Sequence, residues 1–232
     1  MESKGLTLVK AMGILVLVTG LLSVAADVLS VWSSNPRGMD TALSVGFDEI
    51  RYAFLDKPRW SYVLGNYLGT FILPIFHLFG MYLVAIAVKP LGRYSARIFL
   101  FIGAYLAAIG SGMHGTLAFV GDIVNSGSQA LIDRMLDYWQ PWAYALAVSY
   151  LLMILVLAAV IVSKKTRYPR WMFFLSPLGV MIFSTIGAAI LPASLTGLKS
   201  FLTVTGLNLP MLIFYIATAG VLLKQEEVDM SV

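Results

Sequence analysis

Six apolar runs alternate with short polar stretches along the chain, at about 8–32, 60–88, 98–124, 141–162, 171–191 and 201–223. Each matches the roughly 20 residues that an α-helix needs to cross the hydrocarbon core of a bilayer. Two of the polar stretches keep a helical period. In one, Met39, Leu43, Phe47, Ile50 and Phe54 recur on one side while Asp40, Ser44, Asp48 and Arg51 fall elsewhere. In the other, Leu131, Met135 and Trp139 form an apolar side against Asp133, Arg134 and Asp137. This spacing predicts short amphipathic helices over 39–55 and 128–138, lying on the membrane surface. Trp60 and Tyr62, then Trp139, Trp142 and Tyr144, mark where the chain returns to the bilayer. The pattern as a whole predicts an all-α fold. It is a polytopic integral membrane bundle of six transmembrane helices in one domain, 1–232, with two short amphipathic surface helices on the outer side.

Composition agrees with that reading. Hydrophobic residues make up 59% of the 232 and charged residues 12%, with a mean hydropathy of +0.85. A soluble domain carries about 25% charged residues. The net charge of +4 is no nucleic-acid signal, because the basic residues sit at helix ends rather than in one patch. They do set an orientation. Lys4, Lys10, Lys89, Arg93, Arg97, Lys164, Lys165, Arg167, Arg170 and Lys224 fall on one side, and Arg37, Arg51, Lys57, Arg59, Arg134 and Lys199 on the other. The positive-inside rule then puts both termini in the cytoplasm. The start of the chain also resembles a signal peptide, with Val24-Ala25-Ala26 as a cleavage site; the expectation is a retained membrane helix. No cysteine is present, which removes disulfides, thiolate metal sites and cysteine nucleophiles.

Candidate chemistry lies in the few polar residues within the apolar runs. Thr19, Ser23 and Asp27 are spaced at four-residue intervals on the first helix, so they share a side. Tyr62, Asn66, Thr70 and His77 share a face of the second, where Pro74 frees a carbonyl one turn earlier. Ser111, His114 and Asp122 share a face of the third, whose Gly103, Ala107, Gly110 and Gly115 permit close packing. The sixth adds Asn208 and Tyr215. By depth, Asp27 falls level with Asn66, His114 and Asn208 lie near the midplane, and His77 lies beyond them. An outward-opening cavity, narrowing from Asp122 and Asp27 toward His114 and Asn208, fits these depths. Asp27, His114 and Asp122 are the candidate catalytic groups; Asn66, Thr70, His77, Ser111, Asn208 and Tyr215 are the candidate substrate contacts. The first and third helices each end in an Asp, continue into an amphipathic stretch and return through aromatics, a faint internal repeat.

Two histidines without a third ligand at metalloprotease spacing argue against a structural zinc site, while His-His-Asp catalytic ligation stays open. The glycines sit inside membrane helices rather than in a phosphate-binding loop. Neither metal nor cofactor is expected. From Gly65-Asn66-Tyr67-Leu68-Gly69 to Gly110-Ser111-Gly112-Met113-His114-Gly115, the chain resembles a group of uncharacterised six-helix bacterial membrane proteins, a domain of unknown function. Met113 before the His departs from that pattern. The resemblance implies a bacterial cytoplasmic membrane and carries no activity. Three function classes follow from the residues. The first is an intramembrane acid–base enzyme, of isomerase or cyclase type, acting on a lipophilic small molecule. The second is a transporter or small-molecule binder. The third is an accessory subunit whose small-residue faces dock a membrane-protein partner or a second copy. Membrane lipid surrounds all three, and no nucleic acid is involved.

Overall fold

A computed structural model of the protein describes residues 4–34, 47–55 and 57–231. These residues form helices α1 (Lys4–Val31), α2 (Phe47–Phe54), α3 (Arg59–Val88), α4 (Arg93–Ser126) and α5 (Gln129–Val162). The shorter α6 (Met172–Leu175), α7 (Pro177–Ile190), α8 (Thr196–Val204) and α9 (Asn208–Leu222) follow. No strand occurs among the described residues. Among the described residues, four helices are long and apolar enough to cross a membrane: α1, α3 with the 3-10 turn after it, α4 and α5. A fifth crossing is counted if α8 and α9, bent by 65° at their junction, act as one span. Their outer surfaces are apolar, with Phe71, Phe101, Phe119 and Ile190 all more than half exposed. That is the surface of a multi-pass membrane protein, whose exterior meets lipid tails instead of water.

α3 is the central helix, packed along both α1 and α4, and α9 closes the bundle against α1 and α3. Small residues make these contacts possible. A Cβ on Gly65 would lie 2.3 Å from Ser30 Oγ and 2.8 Å from the Ala26 carbonyl oxygen, so α1 and α3 touch backbone to backbone there. α3 runs unbroken through Pro74. The missing proline N–H leaves the Thr70 carbonyl without its helical donor, and the Ser111 hydroxyl of α4 takes that place at 2.6 Å. At the end of α1, Lys57 donates to the Val28 and Trp32 carbonyls, at 3.2 and 2.7 Å. The Val28 carbonyl already accepts the Trp32 N–H at 3.1 Å, whereas Trp32 lies just past the helix, so the ammonium adds a side-chain donor at this terminus. Partial burial pulls this lysine down to about 8.

The second half of the chain is more broken than the apolar runs suggest. Within 171–191 the helix stops at Ser176, which precedes Pro177 and is held extended at ψ 157°. Ser176 then caps α7, its Oγ accepting from the Gly179 N–H at 3.2 Å. Within 201–223 the break falls at Thr205–Leu207. Pro210 cannot donate to the Gly206 carbonyl, and its ring crowds that same oxygen. The helix restarts at Asn208 instead. In the opposite sense, α5 is continuous from Gln129 to Val162 through Pro141, so the segment 128–138 is the first third of a long helix. Of the other expected surface helix, α2 covers the C-terminal part; the rest of 39–55 lies largely outside the described residues.

Candidate functional site

The break before α9 has a chemical consequence. It puts Asn208 in the first turn of α9, facing α1, where its Nδ2 donates to Asp27 Oδ1 at 3.0 Å and Oδ2 at 2.9 Å. His114 of α4 reaches the same carboxylate, with Nε2 at 3.2 Å from Oδ1. Three helices distant in sequence thus converge on one buried acid. Asp27 is 6% exposed, His114 9% and Asn208 4%. The carboxylate also lies beside the N-terminal end of α9, where the helix dipole favours negative charge. Below it on α1, Ser23 and Thr19 bond back to their own helix, to Thr19 O at 2.9 Å and Leu15 O at 2.7 Å, and offer Asp27 nothing.

The His114 ring is held from behind by α3. A Cβ on Gly69 would fall 2.0 Å from His114 Nδ1, so only glycine leaves room for the ring. Nδ1 is buried without a hydrogen-bond partner among the described residues. With the shared proton on Nε2, the pair satisfies Nε2 and Asp27 Oδ1 and leaves Nδ1 as an unused lone pair.

Asp27, His114 and Asn208 form one wall of a cavity of about 620 Å³. The remaining wall is mostly apolar, from Leu73, Leu106, Leu146 and Met181, with Tyr150 and His77 at depth and Lys199 toward the end where α1 terminates. That size falls in the range of roughly 300–1,000 Å³ found for small-molecule sites. His77 Nδ1 lies 3.1 Å from the Tyr215 hydroxyl, and the tyrosine ring is packed into the groove left by Gly80. His77 lines the cavity; Tyr215 stands behind it.

The other candidates are placed elsewhere. Asp122 accepts from Arg59 through two bonds, at 3.0 and 2.9 Å, and from the Tyr62 hydroxyl at 2.8 Å. That cluster ties the start of α3 to the end of α4 and does not border the cavity. The two Asp residues that end similar segments therefore do different things. Asn66 Oδ1 accepts from the Ala118 N–H at 3.0 Å, Thr70 bonds to the Asn66 carbonyl at 2.7 Å, and Ser111 to the Thr70 carbonyl, so all three fasten α3 to α4 or to itself. Sequence reasoning passed over Lys199, Tyr150 and Gly69. Gly69 carried a signal, being one helical turn from Gly65. Among the described residues no three His, Asp or Glu side chains come close enough to share a metal ion.

Neither a curated protein nor a solved structure matches the chain. The family of unknown function DUF6796 matches residues 1–225, and the chain belongs to it, which is consistent with the expectation of an uncharacterised domain.

Proposed function

We propose that the protein is a six-span enzyme of the cytoplasmic membrane that takes a lipophilic small molecule into the cavity and acts on it by acid–base chemistry. The observation that carries this reading is the Asp27–His114 pair on the wall of a mostly apolar cavity. Such a cavity accepts an apolar body, and a desolvated carboxyl–imidazole pair can give a proton at one carbon and remove one at another. An isomerisation or cyclisation of that kind conserves composition and needs no further reactant. Asn208 and the first turn of α9 hold the carboxylate in place, and Gly69 holds the ring. In the six-span arrangement α6 and α7 together make the fifth crossing, and α8 with α9 makes the sixth. Both termini are cytoplasmic, and the cavity opens outward past Val31 and Ala53.

Solvent exchange tests the chemistry. The protein is purified in mild detergent, its extractable lipophilic molecules are identified by mass spectrometry, and it is then incubated with them in D2O. Deuterium should enter carbon positions of the bound molecule with the native protein and not with Asp27→Asn or His114→Gln. Binding without exchange would leave a carrier or receptor; no bound molecule would remove the reading altogether.

A further inference from the structure

We infer that the cavity's ligand is a single-tailed amphiphile with an anionic head group, and that Lys199 receives the head. This rests on the cavity being the ligand site and goes on to assign its polar end. Lys199 is half-buried on α8 and is the one Lys or Arg among the described residues lining the cavity. The one carboxylate in the same lining, Asp27, is already engaged by Asn208 and His114.

Its level in the bundle follows from how α8 is fixed. The Trp32 indole donates to the Gly197 carbonyl at 3.0 Å, and the Ser33 N–H donates to the Ser200 hydroxyl at 3.1 Å. These bonds pin the start of α8 to the terminus of α1, so Lys199 sits at the rim. Asp27 precedes Trp32 by five residues on α1, which puts the carboxylate ~8 Å deeper at about 1.5 Å per residue. Thr203, one turn beyond Lys199, also borders the cavity and adds a hydroxyl on that face. Beyond this polar rim, past the Asp27–His114 wall, come Leu73, Leu106 and Leu146.

The order is therefore cation, acid–base pair, and a mostly apolar end whose polar groups, His77 and Tyr150, are already bonded to the Tyr215 hydroxyl and the Leu207 carbonyl. An anion at the rim meets a charge in a half-desolvated place, where the attraction exceeds its value in water. The tail then passes the pair and fills the apolar end. A volume of about 620 Å³ suits one tail and is too small to enclose both tails of a phospholipid.

Equilibrium binding of tritiated hexadecanoate to the full chain in zwitterionic nanodiscs, competed by hexadecyl phosphate and by hexadecanol, tests this. The native protein should prefer both anions over the alcohol by about fivefold or more, the ceiling for an exposed ion pair being near 1 kcal/mol. Lys199→Gln should erase the preference and Lys199→Arg should keep it, with folding checked by gel filtration. A preference that survives Lys199→Gln overturns the assignment of the head group to Lys199. Leu146→Trp, or Ala143→Phe should the first not fold, fills the cavity and separates the two readings. If the three probes bind alike and the filled variant excludes them, the cavity stands and the anionic head falls. If no probe binds, or filling changes nothing, both fall.

Discussion

Asp27 holds the site together through bonds that have no substitute nearby. Replacing it with Ala strands Asn208 Nδ2 and His114 Nε2 in a buried place. Each unsatisfied group costs about 1–3 kcal/mol, so Asp27→Ala should lower Tm by several degrees in detergent. Asp27→Asn keeps the shape and part of the bonding, so it should retain most stability while losing solvent exchange. His114→Ala leaves Asp27 with Asn208 and merely enlarges the cavity; the expected result is lost ligand chemistry with a small change in Tm. Gly69→Ala should mimic that loss, because the new methyl takes the place of the imidazole ring. If Gly69→Ala binds and exchanges as the native protein does, the ring is not held as described. Much of this was legible in the sequence. Asp27, His114 and Asn208 stand out as polar residues in apolar runs, and the carbonyl freed by Pro74 anticipated the partner of Ser111. Asp122 misled, because helical spacing puts it on the face of His114 but says nothing of Arg59 and Tyr62 arriving from α3.

Between elements, close approach of backbones decides the packing. Gly65→Ala would drive a methyl into Ser30 Oγ and the Ala26 carbonyl. Overpacking of this kind costs typically about 1–3 kcal/mol. Gly220, with open space around it, is the matched control, and Gly220→Ala should leave Tm unchanged. Equal effects at the two positions would refute the close α1–α3 contact. Apolar periodicity gave the long helices α1, α3 and α4 well, because each is a single run of one period. It gave the second half poorly. Ser176–Pro177 and Pro210 were visible as residues, yet an apolar run keeps its hydropathy across a break, so hydropathy alone carries the helix straight through. The restart at Asn208, which sets its side chain against Asp27 of α1, is therefore invisible to hydropathy. For 128–138 the error ran the other way, since charged residues on one face do not stop a helix from continuing into the bilayer.

At the scale of the whole molecule, a chain without cysteine makes orientation directly measurable. In the proposed orientation, with both termini cytoplasmic, Ser34→Cys should react with a membrane-impermeant thiol reagent added outside intact cells. Ser163→Cys, after α5, should react only once the membrane is opened. Labelling of Ser163→Cys from outside would reverse the orientation, and the cavity would then face the cytoplasm. What fills that cavity can be seen in a density map. The protein would be taken from its own membrane into nanodiscs and imaged by electron cryomicroscopy with a rigid antibody fragment bound. The expected map has elongated, non-protein density between α4, α5, α7 and α9, within contact distance of Asp27 and His114. A cavity closed by protein side chains, or filled by discrete waters alone, would contradict the account.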